Sequence, residues 1–95
     1  MSKTKETTLL RTRFARNLRS CRVRQGISQE HLAALAGLSR TFVSDVEREV
    51  RNCSIDNIER LANALHLDVS VLFAPIDDNG VLDCLPKGPR GNRVV

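Results

Sequence analysis

The chain has 95 residues, which is enough for one small domain with tails but not for two domains enclosing a catalytic cleft. Hydrophobic residues make up 41% of it and the aromatic residues are three Phe, so the core must be largely aliphatic. Residues 1–27 hold eight basic side chains and one acidic, a net charge of +7, whereas the remainder holds seven basic and ten acidic. Such a block of arginines is typical of a protein with a polyanionic partner, most often nucleic acid, and a solvated helix face is the alternative.

Several classes of protein are disfavoured by what the sequence lacks. It contains neither an apolar run of about 18 residues that would span a bilayer nor the apolar stretch of a signal peptide, so we expect a cytoplasmic protein with no membrane partner. The three cysteines, Cys21, Cys53 and Cys84, are too widely spaced for a CxxC pair, so we expect no metal site and no disulfide framework. Nucleophile motifs and Gly-rich phosphate loops are also missing, which predicts no enzyme, no cofactor and no small-molecule substrate.

The N-terminal third predicts an arm followed by a helix. Residues 1–8 are polar without periodicity, so we expect a flexible arm. From Leu9 to just before Gly26, apolar residues recur at spacings of four, four and three, which predicts a helix. Its apolar face holds Leu10, Phe14, Leu18 and Cys21. Arg22 falls at the margin of this face, where a half-buried guanidinium requires a carboxylate partner.

Residues 28–48 predict two short helices joined by a tight turn. Ser28 and Ser39 suit the N-cap positions, and Gly37 between them can take the positive φ that the turn requires. The inward-facing residues are Leu32, Ala33, Leu35 and Ala36 in the second helix and Phe42, Val43 and Val46 in the third. The pattern is that of a helix-turn-helix.

Two further helices are predicted before Pro75. Ser54 caps a fourth helix, and Asp68 or Ser70 starts a last short one. The apolar face of the fourth helix holds Ile55, Ile58, Leu61, Ala62 and Leu65. Residues 76–95 contain three Gly and two further Pro, which predicts an irregular tail. Within it, we expect Gly80 to Leu85 to pair as a strand or to dock on a partner. Residues 86–95 are expected to be disordered.

The run QEHLAALAGLSRTFVSDVE, from Gln29 to Glu47, resembles the XRE or Cro-like family of helix-turn-helix regulators. Within it, SRTFVSDVER, followed by Arg51 and Asn52, is similar to the small controller proteins of restriction-modification systems. The resemblance covers roughly residues 10–73. It implies an all-α fold, a compact five-helix bundle of the lambda-repressor-like type, which agrees with the helices read from periodicity and caps. The DNA-binding domain is then residues 9–75.

The same resemblance implies roles for individual residues. Gln29 would bind a phosphate at the start of the second helix, and the third helix, about residues 39–48, would enter the major groove. The family often pairs an Arg of the first helix with the Glu that ends the third. In this chain these residues are Arg22 and Glu47, which we interpret as a structural ion pair.

A physical argument supports the groove assignment. With three apolar residues of the third helix turned inward, its outer face keeps Ser39, Arg40, Thr41, Ser44 and Asp45. Arg40 is the one long donor among them, and bidentate pairing of Arg with guanine is the commonest specific base contact. A solvated surface charge is the alternative for Arg40. Arg48, Arg51 and Asn52 leave the helix together and suit phosphate oxygens, although Asn52 is also a common turn residue.

One residue departs from the family pattern. Where the family usually has Gly or Asn just past the recognition helix, this chain has Glu49. A residue with a Cβ at this position either strains a left-handed cap or indicates a different exit from the helix.

A single unit of this kind reads a short stretch of DNA, so we expect a homodimer on a pseudo-palindromic operator with half-sites about 34 Å apart. The predicted interface is Val69, Val71, Leu72 and Phe73, extended by Ile76 and the segment from Val81 to Leu85. Closure of the monomer core is the alternative for Phe73. The sequence therefore predicts a double-stranded DNA-binding transcription regulator. The alternatives are a phage-type repressor, an antitoxin-type autorepressor, and a protein-interaction module whose Arg-rich first helix binds an acidic partner. Steep salt dependence and preference for one DNA sequence would separate the last from the others.

Overall fold

The structure is a computed structural model that describes residues 9–76, which form five helices and no strand. These are α1 (Leu10–Arg24), α2 (Gln29–Ala36), α3 (Arg40–Glu47), α4 (Ile55–Ala64) and α5 (Val69–Leu72). The predicted all-α, five-helix fold is confirmed. The arm predicted at 1–8, and the part of the tail at 77–95 with its segment from Gly80 to Leu85, lie outside the described residues.

Helices α2 to α5 each begin at a capping side chain. The acceptors are Ser28, Ser39, Ser54 and Asp68, which receive backbone N–H groups at 2.9, 3.0, 3.1 and 2.8 Å. A cap of this kind is worth about 1 kcal/mol, because it satisfies a donor that the helix itself leaves without a partner. Asp68, and not Ser70, is the N-cap of α5.

The turn between α2 and α3 depends on Gly37, which ends α2 with φ of 75°. A Cβ at this position would lie 3.3 Å from Nη1 of Arg60, so a larger residue would meet both left-handed strain and a close neighbour. The turn sets α2 against α3, and α2 also packs on α4. Helix α1 packs on α3 and α5.

The core is aliphatic apart from an aromatic pair. The rings of Phe14 in α1 and Phe73 after α5 stack with centroids 5.4 Å apart. The other large buried residues are Leu18, Leu32, Val43, Val46, Leu61, Leu65 and Leu72. Burial of each of these side chains contributes about 1.5–3 kcal/mol, which is the main stabilisation of so small a domain.

Three residues expected on inward faces are exposed instead. Leu10 is 61% exposed, Leu35 54% and Ile55 81%. Leu10 and Ile55 are the first residues of their helices, so the periodic face continues past the point at which a neighbouring helix covers it. Leu35 borders an open depression with Ala36 and Arg60, at the edge of the contact between α2 and α4.

Candidate nucleic-acid interface

A buried carboxylate joins the three helices around the helix-turn-helix. Arg22 of α1 donates from Nε to Oε2 of Glu47 at 2.7 Å and from Nη2 to Oε1 at 3.0 Å. Gln29, the first residue of α2, donates from Nε2 to the same Oε1 at 3.0 Å. The side chains of Arg22 and Glu47 are 11% and 2% exposed, so water screens this pair little.

The ion pair expected between Arg22 and Glu47 is therefore present, and it has a third member that the sequence did not indicate. The guanidinium also donates from Nη1 to the carbonyl oxygen of Ile27 at 2.9 Å, just before α2. A fork of donors matched to one carboxylate fixes angle as well as distance. The end of α3 is thereby held at a set orientation to α1 and to the start of α2.

Because its inner side is anchored in this way, α3 presents a defined outer side. Val43 and Val46 are buried, whereas Arg40 and Thr41 are exposed in the first turn and Ser44 is half-buried. No ion pair within residues 9–76 involves Arg40. Its guanidinium is thus an exposed donor near the N-terminus of the helix, without a carboxylate competing for it.

Ser39 and Gln29 each make one hydrogen bond within the chain and each retain a further side-chain hydrogen-bond donor. The Ser39 hydroxyl oxygen accepts the N–H of Phe42, which leaves its own O–H to donate. The Gln29 amide has two N–H groups, of which the bond to Glu47 uses one. Both residues lie at the N-terminus of a helix, where the macrodipole favours negative charge.

At the other end of α3, Asp45 organises two arginines. Its carboxylate lies 3.6 Å from Nη1 of Arg48 and 3.5 Å from Nε of Arg51. The guanidinium of Arg51 also lies 5.2 Å from the ring centroid of Phe42, in cation–π geometry. Sequence reasoning placed Asp45 among the groove residues and missed this role, which the i, i+3 spacing of Asp45 and Arg48 could have indicated. Asn52, next to Arg51, is exposed.

The exit from α3 is left-handed despite the absence of glycine. Glu49 has φ of 67°, and the next N–H, that of Val50, bonds to the carbonyl of Asp45 at 3.1 Å, which is the Schellman pattern. The Glu49 carboxylate accepts a hydrogen bond from Oγ1 of Thr12 at 2.9 Å and lies 4.0 Å from Nε of Arg16. Contacts with α1 thus offset the strain at Glu49, and the path of residues 49–53 follows the usual cap.

The last helix requires a correction to the predicted dimer interface. Leu72 has no exposed surface, since it belongs to the core of its own chain, and so it cannot contact a second subunit. Val71 is half-buried against the core, and Phe73 is half-buried and stacked on Phe14. Of the four predicted residues only Val69 is exposed.

An open groove of about 360 Å³ lies beside Phe73. It runs between α1, the segment after α3 and α4, and its lining includes Leu10, Phe14, Cys53, Ile58 and Phe73. Burial raises the pKa of the Cys53 thiol to about 11, because the charged thiolate loses hydration there. The thiol is therefore protonated at neutral pH. The lining of the groove also includes Arg11, Arg51 and Asn52, so charged and polar side chains border its apolar part.

Two kinds of feature are absent from the part of the chain that the structure describes. No three side chains among its His, Cys, Asp and Glu residues come together in a way that could hold a metal ion. None of its helices is long and apolar enough to cross a bilayer.

Comparison with known proteins gives consistent matches. A family model described as helix-turn-helix matches residues 18–72. A hypothetical transcription factor of Neisseria meningitidis serogroup B is 47% identical over 66 residues, which are 70% of this chain and 62% of that protein. The chain thus spans less than two thirds of the length of this relative.

Two solved structures extend the match. The restriction-modification controller protein C.AhdI of Aeromonas hydrophila is 46% identical, with a TM-score of 0.65 over 66% of this chain and 96% of that one. The controller protein C.Esp1396I, crystallised as a tetramer in complex with its natural 35 base-pair operator, is 30% identical, with a TM-score of 0.64 over 70% of this chain and 87% of that one.

Proposed function

This chain belongs to the helix-turn-helix family, and we propose that it is a sequence-specific regulator of transcription of the restriction-modification controller type, which binds double-stranded DNA. The observation that carries the proposal is the anchoring of α3. Its inner side is fixed by the bonds of Glu47 to Arg22 and Gln29, while its outer side keeps Arg40 exposed. A rigid helix with an exposed arginine in its first turn suits direct readout in the major groove.

Base contacts are assigned to the outer face of α3. Arg40 is the main reader, since its fork of donors matches O6 and N7 of guanine. Thr41 and Ser44 are secondary readers, because their hydroxyl groups both donate and accept. Asp45 acts mainly through the arginines that it holds, and it also repels phosphate from the middle of the helix.

Phosphate contacts are assigned to the two ends of the helix-turn-helix. At one end, the O–H of Ser39 and the second amide N–H of Gln29 are donors left for phosphate oxygens, each at a helix N-terminus. At the other end, Arg48, Arg51 and Asn52 contact the flanking backbone. Such contacts fix the register of the protein on the duplex and carry most of the salt dependence.

We propose that the regulator acts as a homodimer on a pseudo-palindrome, since one helix-turn-helix reads few base pairs. The surface that suits a second copy is the apolar part of the groove beside Phe73, with exposed Leu10 on its wall and exposed Ile55 three residues from Ile58. Burying such apolar side chains in a symmetric interface removes them from water. The tetrameric assembly of C.Esp1396I on its operator belongs to that protein, and it supports the expectation that relatives of this fold self-associate.

The experiment that tests this function is selection of genomic fragments by the purified protein at moderate salt. We expect one pseudo-palindromic sequence to be enriched, with half-sites about one helical turn apart. Recovery of fragments without a shared sequence would contradict the proposal and favour a protein partner for the arginines of α1.

Self-association is tested separately by sedimentation equilibrium. Ile55→Asp is expected to weaken the dimer by at least tenfold, because a charge would be buried at the interface. Leu35→Asp, at an exposed leucine on α2 away from the groove, is the matched control and should leave the dimer unchanged. Equal behaviour of the two variants would contradict the proposed interface.

A further inference from the structure

The solvent-facing side of α1 carries three exposed arginines, Arg16, Arg19 and Arg24, which we call the outer arginine face. They line an open depression of about 490 Å³ together with Ser20 and the exposed Val23. Arg16 lies 4.0 Å from Glu49, whose carboxylate is already bonded to Thr12. No carboxylate in residues 9–76 lies within 4 Å of the Arg19 or Arg24 guanidinium.

The last described residues, at the end of α5, are bonded to the same helix, α1. Asn17 of α1, which is fully buried, donates from Nδ2 to the carbonyl oxygens of Leu72 and Ala74, both at 3.0 Å. Arg13, one turn earlier, donates from Nη1 to the carbonyl oxygen of Phe73 at 3.3 Å. These bonds hold the end of α5 beside the middle of α1, so whatever follows Ala74 starts next to this helix.

The sequence that follows has the opposite charge. Residues 77–86 hold Asp77, Asp78 and Asp83 and no basic residue, whereas residues 87–95 hold three basic residues and no acidic one. The acidic charges are therefore collected in the part of the tail that directly follows the attachment of the α5 end to α1.

The distances allow the two charge clusters to meet. An extended residue spans about 3.3–3.6 Å, so three and four residues of chain past Ala74 can reach at most roughly 10 and 14 Å from its carbonyl, which is the reach of Asp77 and Asp78. Measured along the axis of α1 at about 1.5 Å per residue, Arg16 and Arg24 are offset from Asn17 by roughly 1.5 and 10 Å. Asp83 has a longer reach still, which covers the whole face.

From this juxtaposition we propose that the acidic segment 77–83 of the chain docks on the outer arginine face of its own α1. The bonds from Arg13 and Asn17 hold the chain at Ala74 beside α1, so the segment begins near this face. Attraction between its carboxylates and the arginines then keeps it there. Surface ion pairs are individually weak and are screened by salt, so the docked tail is in exchange and is released at high ionic strength. The docked tail shields these arginines from other polyanions, which, if the proposed function holds, directs DNA to α3.

The test uses the natural Cys84, which follows Asp83 directly. In the 95-residue chain, Cys53→Ser removes the half-buried thiol, and Cys21 is fully buried. A nitroxide is therefore attached selectively at Cys84, and amide signals are recorded by NMR. We expect signal loss at Arg16, Arg19, Val23 and Arg24 in low salt, and its recovery at high salt. The loss should disappear in Asp77→Asn/Asp78→Asn/Asp83→Asn.

A variant with the same change of net charge elsewhere, Glu30→Gln/Asp56→Asn/Glu59→Gln, is the matched control and should keep the signal loss. Loss that spreads evenly over the chain would contradict docking. Loss centred instead on the groove at Phe14 and Phe73 would contradict the proposed face. A mixture of labelled unenriched chains and unlabelled isotope-enriched chains should show no loss, and a loss in that mixture would overturn docking within one chain in favour of a second copy. None of these readouts contains DNA, so they are independent of the proposed function.

Discussion

Glu47 is the residue on which the orientation of α3 depends most. Its carboxylate is nearly inaccessible to water and accepts three hydrogen bonds, two from Arg22 and one from Gln29. Taking both charges out of water costs free energy, and the fork of charge-assisted bonds offsets that cost. The pair thus contributes a fixed geometry more than it contributes net stability.

This view predicts an asymmetry between single and double replacement. Glu47→Ala is expected to lower the free energy of unfolding by about 3–5 kcal/mol, because it leaves the charge of the Arg22 guanidinium buried without a carboxylate. Arg22→Met/Glu47→Leu is expected to recover most of that loss. Urea denaturation measures both, and a Glu47→Ala protein as stable as its parent would show that the pair is not anchored as described.

Glu49 predicts a second asymmetry, which arises from the backbone. The left-handed conformation at φ of 67° costs a residue with a Cβ about 1–2 kcal/mol relative to glycine. Both Glu49→Gly and Glu49→Ala lose the bond from Thr12, but only the alanine variant keeps the strain. We therefore expect the free energy of unfolding of Glu49→Ala to be about 1 kcal/mol lower than that of Glu49→Gly. The alanine variant should then unfold at a lower urea concentration. Thr12→Val, which removes the hydrogen bond alone, is the control, and equal stability of the alanine and glycine variants would argue against a strained cap.

The raised pKa of Cys53 gives a prediction for its chemistry. Burial disfavours the thiolate, so the thiol stays protonated until the pH approaches about 11. In a Cys84→Ser variant we expect alkylation of Cys53 by iodoacetamide to be slow at pH 8 and to accelerate with pH towards 11. The same measurement in denaturant should show an ordinary thiol, and fast alkylation of the folded protein at pH 8 would contradict the burial.

Within each helix, the sequence predicted the features that depend only on residues close to one another along the chain, which are the caps, the turn and the buried side. The caps at Ser28, Ser39 and Ser54 and the turn at Gly37 follow from local steric and hydrogen-bonding rules, and the structure has them at those positions. Periodicity also assigned Val43 and Val46 correctly to the inner side of α3.

What the sequence could not give is how far each helix is covered by its neighbours. Ile55 continues the apolar stripe of α4 and yet is exposed, because periodicity defines a face and not the length of a contact. Leu72 shows the converse, since it lies in a helix of only four residues and is nevertheless fully buried, because neighbouring elements cover it. The attachment of Asp45 to Arg51, likewise, depends on the path of the chain after α3.

The attachment of α5 to α1 is a property of these elements that can be measured. Asn17 is buried and uses Nδ2 for two carbonyls of the α5 end, while its Oδ1 has no hydrogen-bond partner in the described residues. Asn17→Leu is expected to cost about 1–3 kcal/mol, because a buried carbonyl loses its donor. Hydrogen exchange should show the loss mainly in the amides of α5 and the turn after it. Asn63→Leu, at an exposed position on α4, is the control, and equal protection of α5 in both variants would contradict the anchoring.

In the whole molecule, the proposed function assigns general affinity for DNA and discrimination between sequences to different arginines. The arginines of the segment after α3 supply a positive field that acts on any duplex, whereas Arg40 is the exposed donor on the face of α3 suited to base edges. Loss of a phosphate contact should therefore weaken binding to every duplex, and loss of Arg40 should weaken only discrimination. This division is what separates a sequence-specific regulator from a general polyanion binder.

Whether α3 reads the DNA sequence is tested by the ratio of affinities for the selected operator and for a scrambled duplex of the same length, measured at several salt concentrations. For Arg40→Ala we expect this ratio to fall by about 5- to 150-fold per half-site, which corresponds to about 1–3 kcal/mol for one arginine–guanine pair. Arg24→Ala, which removes the same charge from α1, should leave the ratio unchanged. If Arg40→Ala discriminates between the two duplexes as well as its parent does, α3 is not the element that reads the sequence.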